Sequence, residues 1–283
     1  MITRQTGYLT LRTDSAPEAS RHLQEQGYAL LPGVFSPDEV AELEADIDRV
    51  FDELPPDVRT IAREPGYYDP FRYEMLNRSA ACQRAISHRG ILDVVEPLLG
   101  EDCHVIANTA WRQSGPQQGE AEPSRFWHID AGPHVPRPDG VAWDVRIPYP
   151  VFAVAAHIMV HDSPLECGPT GVIPGSHTSG QAPPVDRLED DDLTWGGQGV
   201  VPVLAAAGDV ALFVSDTWHR RLAPAAADTG RYFLQCHYGR RDLAQRLRTT
   251  GRANPLSEEA IARAGTHRER ALIGLHNPGF YDA

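Results

Sequence analysis

A mainly β protein with flanking helices, its strands forming an antiparallel sandwich or jelly roll, is the architecture to which this sequence points. Three observations carry that reading. From residue 103 onward the chain breaks into short β-rich runs: HVIANTAW, VFAVAAHIMV, GVVPVLA, DVALFV and RYFLQCHY. The loops between them hold much of the 24 Gly and 24 Pro, the punctuation expected of many short strands joined by turns. Helical periodicity, in contrast, is confined to about residues 15–100 and 256–273.

Taken in order, GYALLPGVF (27–35) reads as a short extended entry. Ser36 then suits an N-cap and Pro37 the first helical position, with Asp38 and Glu39 at the positive helix end. Val40, Leu43, Ile47 and Phe51 recur at helical spacing, so this helix buries one face. A second helical run covers Ala80 to Leu99 and stops at Gly100. The β-rich core spans about 103–240, and the chain returns to helix over Ser257 to Leu272. One domain over 1–283 is the expectation. The segment 131–150, AGPHVPRPDGVAWDVRIPYP, is too irregular for a core element and reads as a wall or lid beside a pocket. The tail near His276 to Tyr281 reads likewise, and EDDD (189–192) as a solvated loop.

Composition removes several chemistries. The 283 residues carry 39 acidic and 26 basic side chains, for a net charge of −13, and every basic residue is Arg. Without Lys there is no internal aldimine, no Schiff-base aldolase and no phosphate-binding P-loop lysine. The acidic balance argues against nucleic acid as a partner. No apolar run approaches the roughly 20 residues of a membrane span, and the N-terminus lacks the apolar core of a secretory leader. Cys82, Cys103, Cys167 and Cys236 are scattered without a CxxC pair, as expected of reduced thiols in a cytoplasmic protein. Nothing in the sequence reports an oligomeric state.

The most informative stretch is FWHIDAG. His128 and Asp130 are two apart, so on a strand both side chains leave one face and can hold one ion. Imidazole plus carboxylate is half of the two-His, one-carboxylate triad that leaves positions open on Fe(II). A strand-edge His bonded to a nearby Asp would look the same. GDVALFVSDTWHRR supplies a second imidazole, His219, where an apolar strand runs out. Twelve residues further, Arg231 opens the strand RYFLQCHY; a permanently charged fork suits the terminal carboxylate of an acid cosubstrate.

The ordered set FWHID, ECGPTGVIPGSHTSG, GDVALF, TWHR and Arg231 resembles the phytanoyl-CoA dioxygenase-like family of Fe(II)/2-oxoglutarate oxygenases. GYALLPGVFSPDEVAEL and RERALIGLHNPG resemble that family's entry and closing segments, so the likeness covers about residues 25–280. It implies a double-stranded β-helix (jelly-roll, cupin-like) core. It further implies that His128, Asp130 and His219 ligate Fe(II), that Arg231 and Thr170 bind 2-oxoglutarate, and that Asn108 touches it. With no Lys in the chain, Arg is the only fixed cation available for that carboxylate. The PGSH turn is a structural signature of the family, which leaves His177 out of the ligand set. Asp130 is intact, whereas the family's halogenases replace it with a small residue.

The activity so implied uses O2 to convert 2-oxoglutarate to succinate and CO2 while oxidising, most simply hydroxylating, a C–H bond of a small molecule. Arg-rich, Lys-free composition resembles that of GC-rich bacterial proteins, and such family members often tailor secondary metabolites. A cupin-like isomerase or hydrolase, or a non-catalytic binding protein of the same fold, are the rival expectations. Outside these motifs, His157 and His161 (HIMVH) lie four apart without the Glu of HExxH, so packing or substrate contact is expected rather than metal binding. Trp111, Trp127, Trp143 and Trp218 read first as core packing. Trp143, His157 and Trp111 are the residues expected to contact substrate.

Overall fold

The structure is a computed structural model that describes residues 2–5, 8–11, 15–53, 70–113, 126–130, 132–224, 230–243 and 256–276. Its strands run β1 (Ile2–Gln5), β2 (Tyr8–Leu11), β3 (Tyr28–Leu31), β4 (Phe71–Tyr73), β5 (His104–Gln113), β6 (Ala153–Met159), β7 (Thr170–Val172), β8 (Val201–Pro202), β9 (Val210–Val214), β10 (His219–Arg221) and β11 (Arg231–Gly239). The helices are α1 (Ala16–Gln26), α2 (Pro37–Glu53), α3 (Met75–Arg78), α4 (Ala80–Ala85), α5 (Arg89–Leu99), α6 (Glu258–Arg263) and α7 (His267–Leu272).

Six strands form one sheet in the order β3-β9-β6-β11-β5-β4, and three form a second in the order β10-β7-β8; every pairing within them is antiparallel. Two apolar cores explain the layering. Alternation along β11 sends Tyr232, Leu234, Cys236 and Tyr238 to a core shared with Leu43, Ile47, Leu92 and Val95 of the helices. Phe233 points the other way, to a second core with Met159 of β6, Phe213 of β9, Val172 of β7 and Val203. Helices, the large sheet and the small sheet are therefore stacked in that order, and the jelly-roll reading holds.

Ser36 and Glu39 exchange bonds at the start of α2, where the Ser36 N–H donates to Oε2 at 2.8 Å, as a capping box requires. The buried stripe is Val40, Leu43, Ile47 and Val50; Phe51 sits half-buried beneath the Arg72 guanidinium, 4.3 Å from the ring centroid. The expected helix over 80–99 is broken: α4 ends at Ala85, and His88 caps α5 by accepting from the Gly90 N–H. The C-terminal run likewise divides, because Thr266 caps α7 with its own box to Glu269. Only two residues of GVVPVLA are strand. The EDDD loop is not merely solvated. Arg187 bonds Asp190 and Asp192, and Arg220 reaches Asp191 while its guanidinium lies 4.6 Å from the Trp127 ring centroid. All four cysteines are buried and unbridged. Among the described residues no helix is long and apolar enough to cross a membrane. Of the expected lid residues, 131 and 277–281 lie outside the described part.

Candidate metal and cosubstrate site

The segment 126–130 closes one end of the space between the sheets. His128 forms an isolated antiparallel bridge with His219, so it adds one rung beside β10 at the edge of the small sheet. Two residues on, the Asp130 N–H bonds the Ser215 carbonyl at 3.0 Å, just past β9 of the large sheet. His128 and Asp130 are thus placed by bonds to two different sheets, not by a continuous strand. Their spacing still delivers both side chains to one point. Ligand atoms of His128, Asp130 and His219 all lie within 4.8 Å of one another.

The imidazoles are set for ligation. His128 Nδ1 donates to the Phe126 carbonyl at 2.7 Å, and His219 Nδ1 to the Thr217 carbonyl at 2.8 Å. In both rings the bond to a carbonyl two residues back makes Nδ1 the protonated nitrogen and leaves Nε2 as a lone-pair donor. His219 Nε2 lies 3.5 Å from Asp130 Oδ1. Asp130 Oδ2 is buried and has no hydrogen-bond partner, an arrangement that burial alone penalises and a cation would relieve. A two-imidazole, one-carboxylate set with an orphaned carboxylate oxygen fits Fe(II).

Electrostatics agree. Burial, then the neighbouring His219, pulls the His128 pKa down to about 4, so this ring is neutral near pH 7. Burial works against charge on Asp130, but the imidazoles of His219 and His237 outweigh it and hold the carboxyl well below its ordinary range. Burial also opposes charge on His219, and the Asp130 carboxylate reverses the shift to an upward one.

Arg231, Phe233, Gln235 and His237 alternate onto the inner face of β11. Arg231 is 7% exposed; its guanidinium carbon lies 5.5 Å from the Trp111 ring centroid and 5.6 Å from that of Phe233. Its charge is felt at both His128 and His157, so it belongs to the space the triad faces. Thr170 is buried and pairs with Arg221, two residues along β7 from Val172, which pairs with His219; period two puts Thr170 on the His219 side. Trp111 stacks on Phe233 at 5.4 Å, and its Nε1 donates to Gln235 Oε1 at 2.8 Å, which makes it a wall beside Arg231.

Two residues expected to touch cosubstrate or substrate, Asn108 and Trp143, are placed away from the triad. Asn108 pairs with Cys236, and its neighbour Ala110 pairs with Leu234; both partners lie in the helix-side core. The Asn108 side chain therefore stands on the face of β5 away from the triad, and Thr109 and Trp111 occupy the inner one. His161 is also turned out. The Val160 and His161 N–H groups both bond the Tyr232 carbonyl, a bulge that breaks period two and sends His161 to Glu44 of α2 at 2.7 Å. Trp143 is half-buried in the 132–150 segment, donates to its own Ile147 carbonyl at 2.7 Å and packs on Tyr149. Its described contacts stay within that segment and do not reach the triad.

Two residues that sequence reasoning passed over join the site. His237 Nε2 lies 3.6 Å from Asp130 Oδ2 and 2.7 Å from the Gln235 amide nitrogen. Counting in twos from Arg231 along RYFLQCHYG would have found it. Asp216, 3% exposed, collects the 132–150 segment from both ends. Its carboxylate accepts from the His134 ring at 2.6 Å, the His134 N–H at 3.2 Å and the Tyr149 hydroxyl at 2.8 Å. Gly132, at φ +114°, passes so close that a Cβ there would stand 2.3 Å from Asp216 Oδ1.

The family model for phytanoyl-CoA dioxygenase (PhyH) matches residues 23–223. The chain belongs to this family. It is therefore a non-haem enzyme that uses Fe(II), 2-oxoglutarate and O2. Solved structures share its fold at low identity. The epimerase SnoN in complex with Fe3+, alpha ketoglutarate and nogalamycin RO is 19% identical, with TM-score 0.61 over 87% of this chain and 96% of that one. The alpha ketoglutarate dependent carbocyclase SnoK from nogalamycin biosynthesis is 20% identical, with TM-score 0.57 over 86% of this chain and 94% of that one. AviO1 from Streptomyces viridochromogenes is 21% identical, with TM-score 0.56 over 87% of this chain and 99% of that one. No curated protein matches the chain in sequence.

Proposed function

We propose that this protein oxidises a C–H bond of a small secondary metabolite, at a centre where His128, Asp130 and His219 hold Fe(II) and Arg231 holds the distal carboxylate of 2-oxoglutarate. The observation that carries the reading is the convergence of the three ligand atoms within 4.8 Å, with both imidazoles presenting Nε2. Bound there, Fe(II) would supply the oxidising chemistry, in which O2 and 2-oxoglutarate are consumed, succinate and CO2 leave, and a substrate C–H bond is broken.

The chain's own residues do the rest. The Phe126 and Thr217 carbonyls fix the two imidazoles in the ligating tautomer, and Asp130 supplies the negative charge that attracts the cation. Arg231, walled by Trp111 and Phe233, offers a fork of N–H donors in a space from which water is largely excluded. Thr170 adds a hydroxyl on the same side. The 132–150 segment, gathered by Asp216, forms the substrate wall. The intact Asp130 favours oxygen chemistry over halogenation. Hydroxylation is the simplest outcome; the fold also houses an epimerase and a carbocyclase.

Incubation with Fe(II), 2-oxoglutarate and air, with polycyclic and glycosylated natural products as trial substrates, tests the proposal. Succinate released in proportion to oxidised product supports it. The absence of both 2-oxoglutarate binding and succinate release refutes it, and turnover that survives Asp130→Ala would favour a cupin-like reaction instead.

A further inference from the structure

Resting on the reading of the 132–150 segment as the substrate wall, we propose that Arg137 is an anion subsite in that wall, its guanidinium fork pairing with a carboxylate or phosphate group carried by the organic substrate.

Arg137 is half-buried, yet both terminal nitrogens of its guanidinium are closed off from solvent and have no hydrogen-bond partner among the described residues. A guanidinium keeps its charge at any ordinary pH, and a buried charge without a partner is strongly disfavoured. Elsewhere the chain meets this requirement. Arg220 bonds the Glu189 carbonyl and Asp191, Arg221 the Cys167 and Gly168 carbonyls, and Arg263 the Gln83 side chain and the Leu76 carbonyl. Among the described residues, Arg137 is the one arginine whose two terminal nitrogens are both buried and unpaired.

The fork is nevertheless held in place. The Arg137 N–H donates to the Gly180 carbonyl at 3.2 Å, and its own carbonyl accepts from the Gln181 amide at 3.4 Å. Its Nε donates to the Val141 carbonyl at 3.1 Å, and the guanidinium carbon lies 5.3 Å from the Trp143 ring centroid. These contacts position the group and use none of its terminal N–H donors. The acids around it are committed elsewhere. Asp139 accepts from the Gln181 amide, Asp144 pairs with Arg146 at 2.6 Å, and Asp216 takes His134 and Tyr149. Burial and Asp216 push the Tyr149 pKa upward, and the Arg137 charge opposes them, which places the fork beside that hydroxyl. The missing partner therefore comes from outside the chain. Two parallel N–H bonds match the paired oxygens of a carboxylate or phosphate. The described contacts of Arg137 include neither the triad nor Arg231, so the subsite orients the substrate and takes no part in its oxidation.

Thermal melts of wild type and Arg137→Met, each with Mn(II) and stoichiometric 2-oxoglutarate to occupy Arg231, decide the matter. The substitution keeps an unbranched stem beside Trp143 and removes the charge. Since an unpaired buried charge costs stability, Arg137→Met without added anion should melt at or above the wild-type Tm. Benzoate or phenyl phosphate should raise the wild-type Tm by about 2 °C or more, neutral benzamide should not, and the rise should vanish in Arg137→Met. Which of the two anions acts separates a carboxylate from a phosphate. A Tm several degrees below wild type in Arg137→Met without anion overturns the proposal, because the fork would then be a structural tie. So does a wild-type Tm that neither anion raises beyond the effect of benzamide, or an anion-induced rise that persists in Arg137→Met. A wild-type protein that binds no 2-oxoglutarate in a separate titration would instead overturn the pocket assignment itself.

Discussion

His128 and His219 exchange both of their backbone hydrogen bonds, N–H to carbonyl at 3.0 Å in each direction, and their rings lie 4.3 Å apart. Two candidate ligands far apart in sequence are thus held to one another by main chain, so their placement does not depend on the side chains they carry. The consequence is a site that can lose a ligand without losing the fold. His219→Ala or Asp130→Ala should weaken Fe(II) binding by more than about 100-fold and abolish turnover, while circular dichroism stays that of the wild type. Metal analysis after dialysis against Fe(II) checks this.

Arg231 tests cosubstrate binding separately from metal. A charge-assisted bond is worth about 1.5–3 kcal/mol, so Arg231→Ala should raise the 2-oxoglutarate Kd by about 10- to 100-fold and leave metal affinity in place. Arg231→Lys should recover little, because an ammonium lacks the planar fork and would stand against the Trp111 and Phe233 rings. Equilibrium titration of both variants in the presence of Mn(II) measures the difference.

Asp216 predicts a different kind of defect. Asp216→Ala strips the partner from His134 and from the buried Tyr149 hydroxyl, and should cost about 3 kcal/mol of stability; Tyr149→Phe should cost about 1 kcal/mol. Since these bonds tether the segment proposed as the substrate wall, Tyr149→Phe should raise the KM for the organic substrate more than that for 2-oxoglutarate. Steady-state kinetics with each varied in turn would show the split.

Acid stability has a local determinant in Asp46. Its carboxylate accepts from Ser79 Oγ at 2.7 Å and from the Ala81 N–H at 3.4 Å, tying α2 to α4. Partial burial raises its pKa, but these bonds and Arg49 outweigh burial and leave it below the ordinary 3.8. A depressed folded-state pKa gives stability that is complete above the unfolded value and fades as pH falls through the folded one. Asp46→Asn should therefore lower Tm by a few degrees at pH 7, for a loss of about 1 kcal/mol, and the gap should narrow as acid protonates the Asp46 carboxylate. Thermal melts from pH 7 into acid test the sign.

Much of the site was legible because its chemistry is carried by rare residue types at fixed offsets. His128 and Asp130 two apart, His219 at the end of an apolar strand and Arg231 at the start of the next stand out in any reading of the chain. What failed depended on register. Asn108 and Thr109 are adjacent polar residues on one strand, and composition cannot say which faces inward; pairing with Cys236 decides it. His157 and His161 separate because of a bulge at Val160, which leaves no mark in the sequence. The helix over 80–99 broke at His88, where a cap was written in a residue more often read as a helix interior. Asp216 was invisible for another reason: its two partners, His134 and Tyr149, lie more than 65 residues away in sequence.

Whether these three side chains bind Fe(II) in a form that 2-oxoglutarate chelates is tested most directly by anaerobic visible absorption of the Fe(II)-loaded protein titrated with 2-oxoglutarate. We expect a charge-transfer band that grows with 2-oxoglutarate, is lost in His219→Ala, and returns in Arg231→Ala only at higher 2-oxoglutarate. A band that persists undiminished in His219→Ala, or none in the wild type at saturating metal and cosubstrate, would contradict it.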